Sequence, residues 1–238
     1  MKTKLAIFDC DDTILDDPIA KHQYGFFFPN EELPQHIQDL IEKKDWDNFN
    51  LEMAADVNGL NISKNEIIET WKPKLNVIKG MDEVLRKLSE DHDIIIVSGT
   101  CTYRIEIFFE KYQLLKLVDK IFAKPSKITD DGKIVVENIP NEWGGPCKLS
   151  KRAICKTSCI QYFIKDRAYE EFLYVGDGKN DLCPSLNLGA NARICPRIGY
   201  PLEQLLNNYC IQADIVPWIN GVDLLDKLVQ SHHKNKID

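Results

Sequence analysis

Three short apolar runs in this chain each end abruptly in polar residues, and that pattern constrains the fold more than any other feature. Residues 4–8 (Lys-Leu-Ala-Ile-Phe) lead into Asp9-Cys10-Asp11, "DIIIVSGT" (93–100) ends in Ser98-Gly99-Thr100, and "FLYVGDG" ends in Gly176-Asp177-Gly178. Each run is too short for a stable helix and apolar without alternation, so each reads as a strand buried on both faces. "ARICP" (192–196) reads as a fourth such strand. Between them the period changes. Met81, Val84, Leu85 and Leu88 fall on one face of a helix, as do Ile105, Phe108, Phe109 and Tyr112. Residues from about 150 to 168, "PLEQLLNNY" and "GVDLLDKLVQ" also read as helices. Buried strands alternating with amphipathic helices predict an α/β fold, a Rossmann-like parallel sheet with helices on both faces. Ligands of such sheets bind beyond the carboxyl ends of the strands. The three polar run-ends therefore converge on one candidate site.

The stretch from 16 to 79 carries no strong strand signal. It holds the aromatic segment "QYGFFFP", a helical stretch starting at Pro34, and "SKNEIIETW", where Ser63 and Glu66 match a capping box. The expected organisation is a core domain of residues 1–15 and 80–238 with a small helical insert, 16–79, after the first strand. In "KIFAKPSKITDDGKIVVENI" the pair Asp131-Gly132 between two β-prone arms predicts a hairpin. The tail "SHHKNKID" is expected to fray.

The formal net charge of −7 disfavours nucleic acid or an anionic membrane as the main partner, since both reward clustered Lys and Arg. No stretch approaches the roughly 20 apolar residues that span a bilayer, and no signal peptide is legible, so a cytoplasmic location is the default. The eight cysteines are expected to be thiols rather than disulfides. Cys147, Cys155 and Cys159 raise the question of a metal, but intervals of seven and three residues are not the paired C-x2-4-C arms of common zinc sites. Both readings, metal ligands and free thiols, stay open.

The order D-x-D-x-T (Asp9, Asp11, Thr13), a strand-end Ser98, a lysine, and G-D-x-x-x-D (Asp177, Asp181) resembles the haloacid dehalogenase superfamily of phosphotransferases over nearly the whole chain. "VGDGKNDLCP" and "AICKTSCIQYFIKDRA" are similar to the PHOSPHO-type phosphatases within it, which places the motif lysine at Lys156, with Lys148 as the competitor. The resemblance implies a Mg²⁺-dependent phosphatase acting on a small phosphorylated metabolite. Asp9 would be the nucleophile that forms an aspartyl-phosphate, and Asp11 the acid and base. Asp9, Asp177 and the backbone carbonyl of Asp11 would hold the metal. Ser98, the N–H near Gly99, and Lys156 would hold the phosphoryl group. Thr13 would fix the loop, and Asp181 would orient Lys156 or a metal-bound water. Physical chemistry runs the same way, because a phosphate dianion repels an attacking carboxylate unless cations neutralise the site. The alternatives are a phosphotransferase or phosphomutase of the same superfamily, or a regulatory protein that binds phosphate without turnover.

The chain also departs from the PHOSPHO type. Two acidic residues associated there with amine substrates correspond here to Gly99 and Ala20, and the His and Cys-Pro before the Cys-Lys pair are missing. Asp16 and Asp17 lie close enough in sequence to substitute. The insert resembles the superfamily's cap, in which Tyr24, Phe26, Phe27 and Phe28 either contact substrate or pack the cap. Asp12 is expected in a turn. The oligomeric state is left open.

Overall fold

The computed structural model describes residues 2–16 and 20–234, with side chains over 2–16 and 22–230. Expectations attached to Asp17, to the Ala20 side chain and to residues 235–238 lie outside the described residues. The chain begins with β1 (Lys4–Phe8) and a short β2 (Leu15–Asp16). The helices α1 (Ala20–Phe27), α2 (Gln35–Lys43), α3 (Trp46–Gly59) and α4 (Lys64–Trp71) follow, and β3 (Asn76–Val77) closes this segment. Next come α5 (Met81–Leu88), β4 (His92–Cys101), α6 (Thr102–Lys111), β5 (Lys120–Lys124), β6 (Ser126–Ile128) and β7 (Ile134–Val136). The last part holds α7 (Lys156–Ile164), β8 (Glu171–Gly176), α8 (Leu182–Asn187), β9 (Ala192–Pro196), α9 (Pro201–Leu206), β10 (Asp214–Ile215) and α10 (Gly221–Lys234).

Among the described residues the main sheet has the order β10-β9-β8-β1-β4-β5, and every pairing is parallel. The first strand is thus central, flanked by the two other strands that end in polar residues. Phe8 pairs with Ile96 on one side and Val175 on the other, so the three strand ends lie level. Successive β1 side chains serve opposite faces, as the pleat requires. Ala6 and Phe8 join a core with Met81, Ile105, Phe108 and Leu224, whereas Leu5 and Ile7 join Cys159, Ile160, Ile194 and Leu202. Each fully buried Leu, Ile or Phe contributes about 1.5–3 kcal/mol relative to exposure.

The chain leaves the core on β2 and returns on β3, which pair antiparallel through Leu15 with Val77 and Asp16 with Asn76. The four helices between them bury Ile37, Phe49, Met53, Val57, Ile67 and Trp71. Ser63 and Glu66 form the capping box that starts α4. Tyr24 stacks on Phe28 at 4.4 Å between ring centroids, and Phe26 and Phe27 meet Trp71 edge-on at 5.7 and 5.6 Å. The aromatic run therefore packs this helical segment. Asn58 joins it to the core by acting as a short strand, since its amide exchanges two hydrogen bonds with the backbone of Ile134.

Three sequence expectations need correction. The first arm of the expected hairpin belongs to the main sheet as edge strand β5. Pro125, which has no N–H to donate, separates it from β6, and the hairpin proper is β6–β7. Residues 150–155 are irregular, with Lys151 at φ 59°, and helix starts only at Lys156. At the C-terminus α10 runs on to Lys234, through the first half of the expected frayed tail.

Candidate active site

Asp9 stands one residue beyond the central strand. Its N–H still bonds the carbonyl of Val175, so sheet pairing fixes its backbone. Asp9 Oδ1 accepts from the N–H of Cys10 at 2.7 Å and lies 2.8 Å from Lys156 Nζ. Lys156 opens α7, where the positive end of the helix dipole disfavours an ammonium. Carboxylates settle the balance. Burial acts to lower the Lys156 pKa, but Asp181 and then Asp9 outweigh it and hold the ammonium above its ordinary value. Lys148, the competing lysine, is exposed.

Asp181 is fully buried and saturated with donors. Oδ1 takes Lys156 Nζ at 2.6 Å and the Tyr174 hydroxyl at 2.5 Å, and Oδ2 takes the N–H groups of Asp177 at 3.0 Å and Gly178 at 2.7 Å. This close approach requires glycine at 176, where a Cβ would lie 2.6 Å from Asp181 Cγ. Asp177 accepts from the buried Thr13 hydroxyl at 3.0 Å, which ties the loop after β1 to the loop after β8.

Three carboxylates around one ammonium leave this floor short of positive charge. Burial first, then Asp181, pushes Asp9 up to about 8, and burial followed by Asp9 pushes Asp177 up to about 9. Oxygens of Asp9, Asp177 and Asp181 lie within 4.8 Å of one another. Since the donors above saturate Asp181, Asp9 and Asp177 are the residues with carboxylate oxygen to spare, a donor set suited to a hard divalent cation.

Beside this floor, Ser98, Gly99 and Thr100 occupy the register shift between Val97 and Cys101 of β4, where the strand bulges away from β5. A hydrogen-bonded chain starts there. The Thr100 N–H donates to Ser98 Oγ at 3.2 Å, Arg104 Nη1 to Thr100 Oγ1 at 3.1 Å, and Arg104 Nη2 to Asp11 Oδ1 at 2.9 Å. Asp12 lies in the turn after Asp11 at φ 54°, a conformation Asp tolerates, and its carbonyl accepts from Arg197 Nη1 at 2.7 Å. Burial, then Asp11, raises its carboxyl to about 6.

Comparison with known proteins gives the chain a family. A family model described as "Putative Phosphatase" matches residues 4–232. The chain belongs to this family. The pyridoxal phosphate phosphatase PHOSPHO2 of Homo sapiens is 27% identical over 94% of this chain and 96% of its own length. The phosphoethanolamine/phosphocholine phosphatase of Gallus gallus is 26% identical over 92% of this chain and 85% of its own. Among solved structures, a phospho-aspartyl intermediate analogue of phosphoserine phosphatase superposes with a TM-score of 0.56 at 17% identity, covering 96% of this chain and 99% of that one. The chain is a phosphoric monoester hydrolase, PHOSPHO-like, and it has the same α/β fold as solved haloacid dehalogenase-like hydrolases.

In this phosphatase the eight residues singled out in the sequence, Asp9, Asp11, Thr13, Ser98, Gly99, Lys156, Asp177 and Asp181, all lie at or just beyond the carboxyl ends of β1, β4 and β8 or at the start of α7. Sequence reasoning missed Arg104 and Tyr174. Arg104 carried a faint signal, because it is placed four residues before Phe108 on the buried face of α6. Tyr174 carried none, as it reads as one more apolar strand residue. The thiols are regrouped as well. The sulfurs of Cys147, Cys155 and Cys183 lie within 4.8 Å of one another, whereas the Cys159 thiol lies 3.9 Å from the Trp143 carbonyl. Among the described residues no helix is long and apolar enough to cross a membrane.

Proposed function

We propose that this phosphatase hydrolyses a small phosphate monoester through an aspartyl-phosphate on Asp9, with Mg²⁺ as its cofactor. The observation that carries the reading is Asp9 itself, a nucleophile-sized carboxylate at the end of the central strand, held 2.8 Å from a buried lysine and sharing its floor with Asp177. An Asp9 carboxylate oxygen forms a bond to phosphorus as the bond from phosphorus to the leaving oxygen breaks. Asp11 supplies a proton to that oxygen and then withdraws one from the water that opens the acyl phosphate, releasing inorganic phosphate and restoring Asp9. Ser98, the backbone at Gly99, and Lys156 stabilise the equatorial oxygens. Asp9, Asp177 and the Asp11 carbonyl would hold Mg²⁺, which when bound supplies the positive charge that the floor lacks. The helical segment 16–79 serves as a cap, resting on β7 through Asn58 and enclosing the leaving group.

The site favours a leaving group that is not cationic. Gly99 offers no carboxylate, and Arg104 places a guanidinium beside Asp11. Trp71 lies against Arg104, with the guanidinium 5.5 Å from the ring, so the wall beside Asp11 is cationic and aromatic rather than acidic. Pyridoxal phosphate, named for the human relative, is therefore the first substrate to test, ahead of phosphocholine and phosphoethanolamine, named for the chicken one. Phosphate release from all three with Mg²⁺, with EDTA, and with Asp9→Asn tests the reading. Activity is expected to require Mg²⁺ and to fall roughly 10⁴-fold or more in Asp9→Asn. Wild-type turnover by Asp9→Asn would remove Asp9 from the mechanism. In ¹⁸O-labelled water, label in the released phosphate is expected; unlabelled phosphate on a second alcohol would mark a phosphotransferase instead.

A further inference from the structure

The cysteine group that the fold assembles is not the one suggested by spacing along the chain. Cys147 lies in the loop before α7, Cys155 is the residue preceding that helix, and Cys183 sits in the first turn of α8. Their three sulfurs lie within 4.8 Å of one another. Thiolates bound at about 2.3 Å in a tetrahedral zinc site stand about 3.8 Å apart, so a shift of about 1 Å at most would bring them into coordination. The surroundings suit thiolates. The N–H of Ser150 donates to Cys147 Sγ at 3.4 Å, and the Thr157 hydroxyl donates to Cys183 Sγ at 3.0 Å. Such outer donors orient and stabilise ligating sulfurs. Cys155 sits at the N-terminus of α7, where the helix dipole favours an anion. The loop is pinched to present Cys147, whose N–H bonds the Arg152 carbonyl while its own carbonyl takes the N–H of Lys151. The Ser150 side chain also faces Cys147 and adds a second donor from that residue toward the sulfur.

We propose that Cys147, Cys155 and Cys183 form a binding site for a thiophilic divalent cation, Zn²⁺, separate from the carboxylate site, with water as the fourth ligand. Softness of the donors separates the two sites, since thiolates select zinc while carboxylates and water suit magnesium. Binding releases the thiol protons and forms three S–Zn bonds with no change of oxidation state. The site has a structural consequence for the phosphatase. Cys155 immediately precedes Lys156, and Cys183 follows two residues after Asp181, the partner of that lysine at 2.6 Å. A zinc ion would therefore staple the helix that carries Lys156 to the turn that carries Asp181.

The test uses the tag-free full chain, dialysed against excess Mg²⁺ with and without equimolar Zn²⁺, followed by metal analysis. One tightly held zinc per chain is expected in the wild type and in Cys159→Ser, and loss of it in Cys155→Ser and Cys183→Ser. Zinc kept by Cys183→Ser but lost by Cys159→Ser would overturn the proposal, as would a wild type that retains none. If the serine variants fail to fold, Co²⁺ added to the metal-free wild type decides. An intense sulfur-to-cobalt charge-transfer band supports three thiolate ligands, and its absence overturns them.

Discussion

Asp9 and Asp11 are two residues apart, yet the side chain of the first is 8% exposed and faces a lysine, while that of the second is 29% exposed and faces an arginine. The floor around Asp9 is a closed set of charges. Asp9, Lys156, Asp177 and Asp181 are buried, and most of their bonds go to one another or to backbone at strand ends. The wall around Asp11 is open and relayed, running from Ser98 through Thr100 and Arg104 to the carboxylate. Floor positions are set by sheet topology, so any change there disturbs charges that have little access to solvent. Wall positions depend on side chains reaching across a bulge toward the helical segment, so changes there should tune the reaction rather than abolish it. The predictions below test that distinction, beginning on the floor.

Lys156→Met should have the largest effect. It leaves Asp9 and Asp181 without their shared cation, and stranding a buried charge typically costs about 3–5 kcal/mol. Urea unfolding should show that loss together with near-complete loss of turnover; a stable variant with only a small rate change would show that Lys156 is peripheral. The next effect couples metal to pH. The carboxyls of Asp9 and Asp177 are raised from 3.8 to about 8 and about 9, with burial as the leading cause. Raised carboxyls make the native state bind more protons than the unfolded chain between the two pKa values, so stability falls as pH climbs through that window. Metal-free protein should thus melt lower at about pH 8 than at about pH 6, all else equal, and Mg²⁺ should raise the melting temperature more at the higher pH, because the ion competes with protons. An equal Mg²⁺ shift at both values would show that the two carboxylates are already ionised without metal.

This contrast also explains what could be read before the fold was known. The floor was legible because each member belongs to a short local pattern at an element boundary: Asp9 after an apolar strand, Asp177 and Asp181 in a glycine turn, and Lys156 at a helix start with a suitable interval to the next strand. The wall was not. Arg104 becomes a partner of Asp11 only because β4 lies beside β1, and no interval along the chain encodes that pairing. The thiols fail for the same reason, since Cys159 is near Cys155 in sequence but is buried in the core with Ile160 and Leu202, while the turn after β8 delivers Cys183. Edge strand β10 was hard to read because two exposed residues lack the continuous apolar run that marked the central strands, whereas β5 reads as β-prone but its partner, β4, is not encoded nearby.

On the wall, Arg104 acts through Asp11 and is a positioning residue. Arg104→Met should lower kcat about 10–100-fold for alkyl phosphates, at or below the lower end of the roughly 10²–10⁴-fold that a well-placed acid contributes, because Asp11 itself remains. The loss should be smaller for p-nitrophenyl phosphate, whose leaving group needs no proton. Arg104→Lys should recover part of the rate. An equal loss on both substrates would assign Arg104 to folding or phosphate binding instead.

The smallest effect, and the one most informative about substrate, is expected from Gly99→Asp. Apart from Gly99 and its chain neighbours, no atom of the described residues lies within 4 Å of the position a Cβ would take there, so a side chain fits without displacing the wall. A carboxylate at this point would sit beside the leaving group and attract a cationic one, with an exposed ion pair adding up to about 1 kcal/mol. That corresponds to a rise of about five-fold in kcat/KM for phosphocholine relative to pyridoxal phosphate. The comparison must be a ratio, because a new negative charge near a dianionic substrate should depress both values. A falling ratio would mean that the amine end does not reach Gly99, and that the wall discriminates substrates through Trp71 and Arg104 rather than through the strand-end loop.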